Sequence, residues 1–216
     1  MDNATSNLLV PLFFIHATLG TAILAWWFLS KKKQTLKDFG LGMLGYATGL
    51  AVWTVVVITK PDNLKPLIVV GVVPFLLAHI AYARAASAKL PGKSSTLMTL
   101  TLALIAITFI ARTFFYKSEP YFSDQGLLYF GLKSVPIALY IATISVSFLP
   151  AIRAVASEIK AKSVKPFMGV GLTVLYVNSI ILVSANDDNL LLINGIVMSL
   201  ALLVLWVKAL GSPAKA

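Results

Sequence analysis

The sequence predicts an all-α integral membrane protein, one domain (1–216) folded as a seven-transmembrane-helix bundle. Three observations point there. Apolar residues make up 58% of the chain and charged residues 12%, whereas a soluble domain is about one-quarter charged. The apolar residues gather into seven stretches of about 20 residues, the length that crosses a hydrocarbon core. Short polar or proline-bearing connections separate them, such as Lys60-Pro61-Asp62-Asn63-Leu64-Lys65-Pro66. Backbone groups in hydrocarbon must bond within their own segment, which makes each stretch a helix. The alternating segments of an outer-membrane barrel are not seen, and the chain has no cysteine to build a disulfide scaffold.

The spans are expected at 8–30, 39–59, 67–87, 96–116, 127–149, 167–186 and 190–210. The first follows a short N-terminus without basic residues, so it reads as a retained helix and not a cleaved signal peptide. It runs into Lys31-Lys32-Lys33, with Trp26 and Trp27 placed as interfacial anchors. The second carries Gly42, Gly45 and Gly49, small residues that let a neighbouring helix approach closely. Pro74 in the third and Pro136 in the fifth are expected to kink them. The fourth ends in Ala111-Arg112-Thr113-Phe114-Phe115, with Tyr116 and Tyr121 as anchors beyond it. Asn178 in the sixth is expected to bridge helices. The seventh has no mid-span lysine for a retinal Schiff base, since Lys208 lies at its exit.

Charge orients the bundle. Lys31, Lys32, Lys33, Lys37, Arg84, Lys89, Lys93, Arg153, Lys160, Lys162, Lys165, Lys208 and Lys215 place 13 of the 18 basic residues on one side. Asp2, Asp62, Glu119, Asp124, Asp187 and Asp188 place six of the eight acids on the other. Basic connections stay in the cytoplasm, so the N-terminus is expected outside, the C-terminus inside, and the localisation is a multi-pass protein of the cell membrane. The net charge of +10 is thereby a topology signal in contact with the lipid bilayer, and no nucleic-acid partner is expected.

Polar groups inside a membrane are costly and so mark candidate sites. Both histidines fall inside spans: His16 roughly 12 Å and His79 roughly 18 Å from the outer edge, at 1.5 Å per residue. Two readings stand for them. Paired neutral imidazoles supply the axial ligands of a b-type haem (haem b), or one imidazole holds copper; alternatively each bonds a neighbouring helix and no cofactor is bound. Arg112, one turn inside the fourth span, and Lys133, six residues into the fifth, lie at similar outer depth. They suit carboxylates such as haem propionates, an anionic headgroup or a quinone oxygen; alternatively they snorkel to the interface, or Arg112 pairs with Glu119 or Asp124. No mid-span acid, phosphate loop, zinc spacing or nucleophile elbow accompanies them, which points away from coupled transport and hydrolysis.

From the third span onward the chain resembles the small four-helix membrane proteins that assist assembly of haem–copper cytochrome oxidases. The stretches that carry the likeness are Ile110-Ala111-Arg112-Thr113-Phe114-Phe115 and Leu127-Leu128-Tyr129-Phe130-Gly131-Leu132-Lys133, followed by a basic loop and a span ending near Asn186. Phe14-Ile15-His16-Ala17-Thr18-Leu19-Gly20 and Gly45-Tyr46-Ala47-Thr48-Gly49-Leu50 extend it to the first hairpin. The chain departs from that pattern in having seven spans, and Ser134-Val135-Pro136 where the pattern has a histidine. The resemblance implies association with a respiratory haem complex and carries over His16 and Arg112 as site residues. Three roles follow: a non-catalytic membrane subunit or assembly factor of a respiratory complex, working with other membrane-protein subunits; a small-molecule or lipid transporter or seven-helix sensor with a ligand near Pro74, Pro136 and Asn178; and a purely structural subunit.

Overall fold

The computed structural model describes residues 3–90, 92–115, 119–124, 126–159 and 164–211. Asp2, Tyr116, Lys160, Lys162 and Lys215 of the readings above lie outside the described residues. Seven helices, each long and apolar enough to cross a membrane, make up the fold: α1 (Asn3–Leu29), α2 (Gln34–Thr59), α3 (Lys65–Ser87), α4 (Ser94–Ile110), α5 (Ser134–Glu158), α6 (Lys165–Ser184) and α7 (Asp188–Leu210). Between α4 and α5 lie a π-helical turn (Ala111–Phe115) and a short antiparallel hairpin of β1 (Tyr121–Phe122) and β2 (Leu128–Tyr129), in the register Tyr121↔Tyr129 and Phe122↔Leu128.

Six helices close into a ring. α1 packs on α2 and α7, α2 on α3, α3 on α5, α5 on α6, and α6 on α7, while α2 also touches α5 across the middle. α4 lies outside that ring, against α3 and α5, and is the least buried span. Its buried face is polar, formed by Thr101, Thr108 and Arg112 with Ala111, while Leu100, Leu102, Ile107 and Ile110 are exposed. On the other helices buried polar groups sit within a mainly apolar core. Thr54, His79, Thr143, Ser147, Asn178 and Asn194 are buried, and Val55, Leu77, Val170, Ile193 and Leu200 are exposed. Apolar groups thus face both the core and the outside, unlike a water-soluble bundle, whose apolar stripe faces only inward.

Close helix approach explains the glycines of α2. A Cβ on Gly42 would stand 2.4 Å from the Tyr82 ring, and one on Gly49 would stand 2.8 Å from Phe75. The helix pair α2–α3 is thus set at a separation only glycine permits. The end of the bundle carrying the α1–α2, α3–α4 and α5–α6 connections is plugged by aromatic rings. Phe39 meets Phe28 at 4.9 Å, Tyr82 at 5.1 Å and Phe148 at 5.7 Å. Outside the plug, Glu158 binds both Lys33 and Lys89, and Asp38 takes Arg84 at 3.2 Å and Gln34 at 2.9 Å. The two acids at the basic end therefore tie α2, α3 and α5 and the α1–α2 and α3–α4 connections together.

Three expectations need correction. Residues 127–133 are not the start of a span: Leu127, Leu128, Tyr129 and Phe130 are buried in the hairpin that covers the opposite end, and α5 begins at Ser134. Gly131 ends that cap with φ +60°, where an added Cβ would meet the Glu119 carbonyl at 2.2 Å. At its other end α5 runs past 149 to Glu158, with Pro150 inside it, because Ala151, Ile152, Ala154 and Val155 are buried against neighbours. Packing outweighs the one lost backbone bond. Pro136 consequently falls in the first turn of α5, where its missing N–H has no partner to lose. The prolines inside helices are Pro11, Pro74 and Pro150. Finally, Trp26 is exposed but Trp27 is buried edge-on to Phe28 with the Lys31 ammonium over its ring, so it is a packing residue, not an interfacial anchor. Lys31 is held below the usual lysine pKa by its partial burial there.

Candidate functional site

The hydrogen-bond partners of the two histidines fix their tautomers. His16, half-buried on α1, lies 3.0 Å through Nε2 from the Ser199 carbonyl of α7. A carbonyl only accepts, so Nε2 carries the proton and donates, and the lone pair of the neutral ring is on Nδ1. His79, on α3 and 2% exposed, lies 2.8 Å through Nδ1 from Ser147 Oγ of α5. Ser147 already donates its hydroxyl proton to the Thr143 carbonyl. His79 must therefore donate from Nδ1, which leaves Nε2 as a buried lone pair without a partner. The two rings are thus used in opposite senses.

His79 lines a cavity of about 20 Å³, room for roughly one water. Thr21, Met43, Tyr46, Tyr82, Phe148 and Ser179 are among its walls. Tyr46 donates to Ser179, whose own proton goes to the Leu175 carbonyl, and Tyr82 donates to Met43 Sδ. Tyr46 is also in the wall of a second cavity, of about 40 Å³, toward the hairpin end. Arg112 enters this second cavity together with Tyr140, Thr108 and a mainly apolar lining that includes Phe75, Phe130 and Pro136. Tyr140 stands edge-on to His79 at 6.2 Å.

Arg112 is 9% exposed, and its Nε and Nη2 are buried without a hydrogen-bond partner. The ion pairs seen among the described residues, Lys33–Glu158, Lys89–Glu158 and Arg84–Asp38, do not include it. The backbone that presents it is the π-helical turn Ala111–Phe115, a local widening of the helix that is frequent at functional sites. On that turn Ala111 and Arg112 point in while Thr113, Phe114 and Phe115 point out.

The structure thus brings His79 and Arg112 into adjoining cavities and leaves His16 and Lys133 outside both. Lys133 stands just before the first turn of α5, exposed, and not six residues inside a span; the outer cation pair read from the sequence is therefore one buried guanidinium and one exposed ammonium. The helix bridge expected of Asn178 is made instead by the side chain of Asn194, whose Nδ2 donates to the Asn178 backbone carbonyl, while Asn178 Nδ2 is buried without a partner. Among the described residues no cluster of three or more histidine, aspartate or glutamate side chains is placed to hold a metal ion. Sequence reasoning missed Tyr46, Tyr140, Ser147 and Ser179. The available signal was tyrosine well inside an apolar span, where its hydroxyl needs a partner. Comparison with protein-family models, with curated proteins and with solved structures finds no match for this chain.

Proposed function

We propose that this chain is a non-catalytic multi-pass protein of the cell membrane, its basic end in the cytoplasm, whose interior binds a small amphiphile with acceptor oxygens. The observation that carries the reading is the guanidinium of Arg112, buried with two unused N–H-bearing nitrogens in a cavity otherwise lined mainly by apolar groups. A buried cation without a partner is costly, and a membrane-embedded ionisable group is by default a functional one. The test is native mass spectrometry of the full chain titrated with a total lipid extract. A bound small molecule that disappears in Arg112→Gln is the expected result; identical ligand-free spectra for both proteins would overturn the reading.

The same cavity supports the role of subunit or assembly factor in a respiratory complex. Both stretches that carry the resemblance to oxidase-assembly proteins contribute to it: Arg112 from 110–115, and Phe130 and Leu132 from 127–133. Comigration with a haem–copper oxidase on native gels is expected; migration alone, with oxidase levels unchanged on deletion, would remove this role. The lone pair on His79 Nε2 favours a second reading, in which it ligates a b-type haem or copper. A macrocycle there requires α3 and α5 to part, and ligation by His16 Nε2 requires its bond to Ser199 to break. A Soret band lost in His79→Ala supports haem, and protein produced with haem available but lacking that band excludes it.

Orientation has a direct assay, because the chain has no native cysteine. In intact cells an impermeant maleimide should label Asp62→Cys and spare Lys93→Cys. The opposite labelling would invert the topology.

A further inference from the structure

We infer that the ligand of the Arg112 cavity is an amphiphilic carboxylate, one carboxylate on the guanidinium and its apolar body leaving between helices; this rests on the binding reading above. Three observations converge on that class. First, the missing group is an anion. Arginine keeps its proton in proteins, and among the described residues the cavity walls contain no aspartate or glutamate. Neutral oxygens would satisfy its N–H groups but leave the charge uncompensated in a low-dielectric interior, whereas a carboxylate does both in one planar, two-pronged contact.

Second, the size fits a small head. About 40 Å³ is room for roughly three water-sized groups, the carbon and two oxygens of one carboxylate. A phosphodiester headgroup is larger. Third, the lining is that of a tail site. Val72, Phe75, Leu76, Phe109, Leu132 and Val183 offer no hydrogen bond from their side chains, and Val72, Phe109, Leu132 and Val183 are only half-buried. The rim therefore reaches the outer surface of the bundle, where the rest of an apolar molecule continues into lipid. His79 is excluded as a second contact for an ionised head, because Nε2 presents a lone pair and not a proton.

A carboxylate on an apolar body comes from two sources, a fatty acid or a haem propionate, and the test separates them. The full chain in phosphatidylcholine nanodiscs is titrated with oleate, methyl oleate, haemin, haemin dimethyl ester and decylubiquinone, as wild type, Arg112→Gln, Arg112→Lys and the distant control Lys93→Gln. Oleate or haemin should bind wild type and Lys93→Gln alike. Binding should weaken about tenfold or more in Arg112→Gln, the scale of one charge-assisted hydrogen bond, with partial recovery in Arg112→Lys. The corresponding ester should fail to bind. Preference for oleate assigns a fatty acid, and preference for haemin assigns a propionate. Equal binding of acid and ester, or Arg112-dependent binding of decylubiquinone alone, overturns the carboxylate and leaves the binding reading standing. If no probe binds in an Arg112-dependent manner and the lipid extract yields no ligand, both fall.

Discussion

The two ends of this bundle solve the placement of charge in opposite ways. At the basic end Asp38 and Glu158, both nearly buried, are each held by two neighbours, and Phe28, Phe39, Tyr82 and Phe148 fill the space beneath them. At the hairpin end Arg112 is as deeply buried but has no counter-ion among the described residues, and cavities replace close packing around it. The difference is between charges paired within the fold and a charge that, in the reading proposed above, a ligand would pair.

Mutations should therefore act with opposite signs at the two ends. The largest effect is expected for Phe39→Ala, which empties the ring cluster: about 3 kcal/mol of destabilisation, read as a lower midpoint in tryptophan-fluorescence melting of detergent-solubilised protein. A change within error would mean that the plug is not the structural centre of that end. Arg112→Met should move the other way. Replacing an unpaired buried charge with an apolar side chain of similar length is expected to raise stability by about 1–2 kcal/mol without ligand, while abolishing carboxylate binding. Destabilisation by Arg112→Met would erase the contrast between the ends.

Glu158→Gln should cost about 1 kcal/mol, because its partners Lys33 and Lys89 are half-exposed and rehydrate when released. The gap between wild type and variant should shrink at about 1 M salt, where exposed charges are screened; a gap insensitive to salt would point to packing. The smallest effect concerns the hairpin. Tyr129 donates to Asp188 at the start of α7, and burial, then that bond to a carboxylate, push its phenol above the usual tyrosine range. A raised folded-state value favours the protonated form, so this contribution is intact below the ordinary tyrosine pKa of about 10 and fades as pH rises above it. Tyr129→Phe should cost under about 1 kcal/mol at neutral pH and should flatten the alkaline loss, measured by melting from pH 8 to 11.

The seven helices were legible because span length and backbone satisfaction leave few alternatives. The edges of the fifth were misplaced most, and the first and second helices begin five residues earlier than expected. Leu127, Leu128 and Phe130 raise local hydropathy, and hydropathy does not distinguish an apolar group facing lipid from one roofing a cavity. Pro150 reads as a boundary until Ala151 to Val155 are seen to pack beyond it. His79 and Arg112 were legible as isolated polar residues in apolar runs. Their relation was not, since it depends on helix rotation and on a π-helical turn that no spacing announces. Tyr46 and Tyr140 were hidden by an apolar tally that counts the ring and overlooks the hydroxyl.

The place of α4 outside the ring bears on how the chain is made. On its inward face Thr108 meets Thr143 of α5, a helix synthesised later. An arginine near the end of a span adds less to the cost of leaving the translocon than one at its centre, and the strongly apolar remainder of α4 meets that cost. α4 therefore enters lipid with only α3 of its two neighbours already made, and the Thr108–Thr143 contact forms once α5 has emerged.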